Sequence, residues 1–208
     1  MSNSMATMPN PRMPTLANTL WRAEGQSRWV RNAILVVAGS ALMAIAAKIN
    51  VPMVPVPMTM QTFAVLVIAM AYGWRLAGAT LLAYLAEGAA GLPVFAGGGG
   101  VAYMMGPTGG YLVGFFVAAV LVGFLAERGW DRGPIRTFAA NAMGTVTIFG
   151  FGLLWLTPLI AGSKGISLSD ALPVAYAAGV APFIVGGLVK TALAAVVLPT
   201  AWKLAAKR

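Results

Sequence analysis

The chain has 208 residues, without a histidine or a cysteine, so few of its side chains could do chemistry. Lys190 stands out among them. It lies inside the apolar run Ala181 to Ala201, where an ionisable side chain is costly and by default marks a functional pathway or a paired structural charge. Its ammonium could hold a carboxylate or carbonyl oxygen of a ligand, or it could form an ion pair with Glu87. The ligand role ranks ahead, because a lysine reached from an outside cavity is solvated when that cavity is empty. Gly186 and Gly187 precede it at i−4 and i−3, on the same helix face, and leave room beside the ammonium. Thr59, Gln61, Thr62, Tyr84, Tyr103, Thr108 and Tyr111 could supply hydrogen bonds to a compact polar head group. Phe95, Met58 and Trp155 could supply apolar walls. For Trp155, as for Trp202, anchoring at a membrane interface is the stronger reading.

The missing residue types exclude whole chemistries. Without His or Cys there is no Ser-His-Asp relay, no thiolate nucleophile, no Cys/His zinc site and no disulfide. No metal or cofactor is expected. A phosphate-binding GxxxxGK[ST] loop is also absent, since Gly186-Gly187-Leu188-Val189-Lys190-Thr191 lacks the first glycine at the required spacing. The chain is therefore expected to be no ATPase. An intramembrane enzyme acting on lipid or peptide would have only Ser40, Lys190 and Glu87 to work with, and nothing in the sequence brings Ser40 to Lys190. A channel is disfavoured because no ring of polar residues lines any helix along its length.

The elements that must position these residues are set by composition. Hydrophobic residues make up 59% and charged residues 9%, with a mean hydropathy of +0.82. Soluble globular chains run at roughly 45–50% and about 25%, so this is a membrane protein. The fold class expected is all-α with six transmembrane helices. The spans are Asn32 to Ile49, Gln61 to Tyr72, Leu76 to Ala86, Pro107 to Ala126, Phe138 to Ile160 and Ala181 to Ala201. Residues 1–31 read as a cytoplasmic arm with an interfacial helix around Trp21 to Trp29. Residues 32–203 form the transmembrane domain, and 204–208 a basic tail. A signal peptide competes for the first run, but its basic leading region would be unusually long.

The net charge of +9 sets the orientation. Arg12, Arg22, Arg28, Arg31, Arg75, Arg128, Arg132, Arg136, Lys203, Lys207 and Arg208 all fall on one side if the runs cross alternately. That is the positive-inside pattern, with both termini cytoplasmic, and it explains the basic balance without nucleic acid. Lys48 and Lys164 fall outside. Pro182 opens the sixth helix from the outer side, so Lys190 lies ~12 Å deeper, near mid-bilayer.

Two outer segments are irregular yet apolar. Val51-Pro52-Met53-Val54-Pro55-Val56-Pro57-Met58-Thr59 carries three prolines, and Leu92 to Gly100 ends in four consecutive glycines. Non-helical apolar backbone survives near a membrane only where protein buries it or where it lines a cavity. Both segments read as packing over helix ends, as a lid or a cavity wall. The glycine run suits a moving gate or a slack connector equally. In the first helix, Ser40 and Ala44 form a small-xxx-small step that packs internally or against another subunit, which leaves a homo-oligomer open.

Three stretches together carry a family resemblance. Val51-Pro-Met-Val-Pro-Val-Pro-Met-Thr-Met-Gln61-Thr62, Gly91-Leu-Pro-Val-Phe95-Ala96 and Gly106-Pro-Thr-Gly-Gly-Tyr-Leu-Val-Gly-Phe115 resemble the BioY family. Its members are the biotin-specific substrate-binding subunits of energy-coupling-factor transporters, and the resemblance runs from about Ile34 to Leu198. It implies a multi-pass protein of the bacterial plasma (inner) membrane that captures biotin from outside. It also implies a transmembrane coupling subunit and two ATPase subunits as partners, although some members are thought to work without them. The residues it points to, with those read above, are Lys190, Gly187, Phe95, Gln61, Thr59, Tyr84, Tyr111 and Glu87. The family's sixth-helix motif reads Gly-Asp-x-x-Lys, so Lys190 carries over as a biotin contact while Gly187 stands where the Asp would be. Glu87 is the candidate to replace that charge. Biotin's ureido ring, thioether ring and carboxylate suit an interior with one cation, several hydroxyls and apolar walls. The alternatives are an intramembrane enzyme or a transporter of another small molecule with the same architecture.

Overall fold

Apolar runs separated by Gly, Pro and Arg become helices separated by tight turns. The chain, a computed structural model, is described over residues 13–22 and 24–205. Arg12, Lys207, Arg208 and the expected arm before Met13 lie outside the described residues. Thr15 caps a short helix, α1 (Leu16–Leu20), by accepting the Asn18 N–H at 3.4 Å. Helix α2 (Gly25–Lys48) then runs uninterrupted into the apolar stretch. The interfacial helix expected between Trp21 and Trp29 is thus not a separate element. Trp21 closes α1 and Trp29 sits in the first turns of α2, since no proline or glycine between Gly25 and Asn32 parts the polar start from the apolar run.

The proline-rich segment returns on itself as a small hairpin. Strand β1 (Asn50–Val51) runs antiparallel to β2 (Met58–Thr59), pairing Asn50 with Thr59 and Val51 with Met58. Helix α3 (Gln61–Tyr72) turns through Gly73 into α4 (Trp74–Ala89). The glycine-rich segment holds one helical turn, α5 (Val101–Met104), before α6 (Gly109–Ala126). Helix α7 (Pro134–Lys164) has a proline in its first turn and a left-handed Gly165 at its end, so it exceeds the expected Phe138 to Ile160 on both sides. A helix not expected from the sequence, α8 (Leu168–Gly179), comes next; Ser167 caps it by accepting the Asp170 N–H at 3.2 Å. A single 3-10 turn, Ala181–Phe183, leads into α9 (Ile184–Ala205).

Helix α6 packs against α3, α4 and α7. Its seam with α7 is built on Gly110, Gly114 and Ala118, one turn apart. A methyl group on Gly110 would lie 2.4 Å from the Phe151 carbonyl oxygen, and one on Gly114 would lie 3.0 Å from the Ile148 Cα. Lipid tails are as apolar as leucine, so helices in a membrane gain from close backbone approach rather than from hiding apolar surface. The small face of α2 is also used inside the molecule. Gly39 lies against Thr80 of α4, and the buried Ser40 hydroxyl donates to the Glu87 carboxylate.

Four helical stretches are long and apolar enough to cross a membrane: Ser27–Lys48, Gly109–Ala126, Pro134–Lys164 and the combined Leu168–Ala205. Gln61–Tyr72 is apolar but shorter. At one end of the bundle the chain ties itself together through polar contacts. The Met13 N–H donates to the Glu127 carbonyl at 3.0 Å, and Arg132 donates to the Pro14 carbonyl at 3.2 Å. Trp202 of α9 donates to the Asp131 carboxylate at 2.5 Å, with the Arg132 guanidinium 4.2 Å above its ring. Trp202 therefore has a specific protein partner beyond the interfacial anchoring expected of it.

Candidate functional site

The other end of the bundle holds a cavity lined from α3, α6, α7, α9 and the two irregular segments. The start of α3 supplies its polar floor. The Thr59 hydroxyl accepts the Gln61 backbone N–H at 3.2 Å and donates to the Gln61 side-chain oxygen, also at 3.2 Å. The Gln61 amide in turn donates to the Tyr84 hydroxyl at 2.7 Å, which donates to the Val94 carbonyl at 3.0 Å. This relay runs from β2 through α3 and α4 to the glycine-rich segment, and it fixes Gln61 in one orientation. From α9, the Lys190 ammonium donates to the Thr59 carbonyl at 2.6 Å. An ammonium has three donors, so Lys190 keeps donors for a ligand. The Thr62 hydroxyl borders the same space, and its buried oxygen has no hydrogen-bond partner among the described residues.

Six aromatic residues contribute to the walls. Phe95 is fully buried, edge-on to Tyr84 at 5.4 Å and stacked on Tyr103 at 5.3 Å. Its ring lies so close to α4 that a methyl group on Gly88 would sit 1.9 Å from the Phe95 Cζ. Only glycine fits there. Tyr111 of α6 gives its hydroxyl to the Gly179 carbonyl at 2.6 Å and turns its ring towards the cavity. Phe115, Phe149 and Phe183 complete the wall.

Of the eight residues singled out from the sequence, Lys190, Gly187, Phe95, Gln61, Thr59 and Tyr111 line this space. Tyr84 stands behind it, in contact with Gln61 rather than with the cavity. Glu87 does not reach it: its carboxylate is engaged by Ser40 on the α2–α4 seam. The Lys190–Glu87 pair does not form, because α4 packs against α2, α3 and α6 while α9 packs against α1, α3 and α7. The same arrangement separates Ser40 from Lys190, so the dyad an intramembrane hydrolase would need is absent. The room beside Gly186 and Gly187 is partly taken by the Met58 sulfur, 3.1 Å from a methyl placed on Gly186, and by Phe149, 3.3 Å from one placed on Gly187.

Trp155 has a role of a different kind. Its indole N–H donates to the Gly106 carbonyl at 3.0 Å and its side chain packs on Gly109 and Gly110, so it braces the segment before α6 instead of lining the cavity. Phe149 and Phe183 are cavity residues that the sequence reading misses. Phe149 reads as one more lipid-facing residue of a long apolar span. For Phe183 a signal exists, since it lies one helical turn before Gly187 and next to Pro182.

Apolar helices long enough to cross a membrane surround a cavity lined by polar and aromatic side chains, and comparison places the fold. The backbone superposes on the S-component for biotin of an ECF-type ABC transporter with a TM-score of 0.71, over 87% of this chain and 95% of that one, at 23% identity. The sequence model of the BioY family matches residues 13–207, and the chain belongs to that family. Among its relatives, the biotin transporter BioY of Rhodobacter capsulatus is 37% identical over 82% of this chain and 92% of its own length. A probable biotin transporter BioY from Pyrococcus horikoshii is 36% identical over 78% and 91%. The Thermotoga maritima biotin transporter BioY is 33% identical over 84% and 98%.

Proposed function

We propose that this protein takes up biotin as a substrate-binding membrane subunit, capturing it in the cavity between α3, α6, α7 and α9. The observation that carries this reading is the match between cavity and ligand. One ammonium and several hydroxyls, that of Thr62 without a partner among the described residues, border a space with six aromatic residues in its wall, in a chain whose relatives bear the name of biotin transporters. Lys190 and Thr62 are the groups for biotin's polar ends, with Gln61 and Thr59 held ready by the relay to Tyr84. Phe95, Tyr111 and the edge of Gly187 take the apolar thioether ring and chain. A nucleotide or sugar phosphate would demand more cations than this interior has.

In this reading the chain crosses the membrane six times, through α2, α3, α4, α6, α7 and α9, with both termini cytoplasmic and the cavity facing outward. The shortness of α3 is compatible with that. Seven of its twelve residues, Gln61, Ala64, Val65, Leu66, Ile68, Ala69 and Met70, are buried by neighbouring helices, so protein rather than lipid sets its length. The energy comes from a coupling subunit and two ATPases in the manner of energy-coupling-factor transporters. Cells without a biotin carrier of their own should accumulate labelled biotin when given this chain together with that module. No accumulation above the empty cells would defeat the proposal.

A further inference from the structure

The glycine-rich segment is held at more points than its composition suggests. The Phe95 N–H donates to the Gly98 carbonyl at 2.9 Å, Gly98 returns a bond to the Phe95 carbonyl at 3.3 Å, and the Gly100 N–H donates to the Gly88 carbonyl at 2.7 Å. Gly99 has no space for a side chain, since a methyl group there would lie 2.1 Å from the Leu92 carbonyl oxygen. These contacts shape the segment locally. One bond of another kind arrives from the far side of the hairpin: the Lys48 ammonium, at the end of α2, donates to the Phe95 carbonyl at 2.8 Å.

Phe95 is where that bond matters. Its ring backs Tyr103, and Tyr103 stands between two spaces. On one side is the inner cavity; on the other is an outer hollow lined by the hairpin prolines, Asn50 and Gly97. Pro57, Ala96, Tyr103 and Thr108 border both spaces and form the partition. A ligand arriving through the hollow must displace part of that partition, and Tyr103 is its aromatic member, backed from the cavity side by the Phe95 ring.

We propose that Lys48 is a positioning residue for access to the cavity: by holding the Phe95 carbonyl from α2, it keeps the Phe95–Tyr103 stack closed across the partition. The proposal rests on reading the cavity as the biotin site. An exposed ammonium on a carbonyl adds little to the stability of a whole bundle. It acts instead on a local opening, where small differences change the open population directly. Lys48 therefore governs rates of exchange rather than affinity, which depends on contacts deeper in the cavity.

The chain has no cysteine, so a single Leu112→Cys substitution in the cavity wall gives a clean accessibility reporter. In that background, without biotin, Lys48→Met should raise the rate of labelling by a membrane-impermeant thiol reagent about three- to fivefold, and Lys48→Arg should restore it. If the Met variant fails to fold, as read by its thermal midpoint, Lys48→Gln carries the same comparison. With biotin, both association and dissociation should speed up in the Met variant while Kd stays within about twofold. Equal labelling rates in the reporter protein with and without Lys48→Met, or equal acceleration by the Met and Arg substitutions, would overturn the proposal. Failure of biotin to protect the introduced thiol when Lys48 is intact would remove the biotin reading alone, because the labelling comparison does not use biotin.

Discussion

Lys190 shows what a single side chain can and cannot reveal. Its type and its place inside an apolar run make it a candidate for a ligand contact, and it lines the cavity. Its partner is not legible in the sequence: Glu87 lies at a suitable depth, yet it faces α2, where Ser40 donates to its carboxylate. A charge's partner depends on helix rotation, and the sequence around Glu87 has no periodicity strong enough to set it. Gln61 is legible as a polar group, but not the relay that orients it, since Tyr84 lies 23 residues beyond Gln61 and Val94 a further 10 beyond Tyr84. In the proposed role, Lys190→Met should weaken biotin binding by about 1.5–3 kcal/mol, the range for a hydrogen bond to a charged group. Isothermal calorimetry on the folded variant measures this, and an unchanged Kd would leave Lys190 as only a tie between α9 and the Thr59 carbonyl.

At the scale of elements, the long apolar runs are readable because their composition leaves no other option in a membrane. The ends are less so. Helix α7 runs to Gly165 because Ser and Lys do not stop a helix while a left-handed glycine does. Helix α8 is harder to read, although Ser167 and Asp170 give a capping signal, because Pro173 in its middle reads as a breaker. The glycine run reads equally as gate or slack connector; in the structure a hydrogen bond ties it to Gly88, and Gly99 lies close against Leu92. The tightest backbone approach between helices falls on α6 rather than on the first helix, despite the small residues of the latter. Gly114→Leu should therefore cost more stability than a typical overpacking change, beyond about 1–3 kcal/mol, because the added side chain meets the α7 backbone at Ile148. A thermal melt in detergent tests this; a midpoint equal to that of the parent would mean that α6 and α7 do not depend on this seam.

Across the whole molecule, the end away from the cavity is tied by polar and charged contacts rather than by apolar packing alone. Asp131 is 1% exposed, and one carboxylate oxygen has no partner among the described residues. Burial raises its pKa above the ordinary carboxylate range, opposed by the Trp202 N–H and by Arg132. The sign follows from linkage: the folded state holds this proton more tightly than the unfolded chain. The stabilisation is fully present below the ordinary value near pH ~4 and is lost as pH rises through the raised folded value. The thermal midpoint should show a fall over that window that is missing in Asp131→Asn. A pH profile shared by both proteins would place the titration elsewhere.

The biotin reading turns on what fills the cavity. Equilibrium binding of labelled biotin to the purified protein in nanodiscs tests that most directly. Saturable binding with a stoichiometry near one, competed by unlabelled biotin, is the predicted result; absence of saturable binding by folded protein would contradict it.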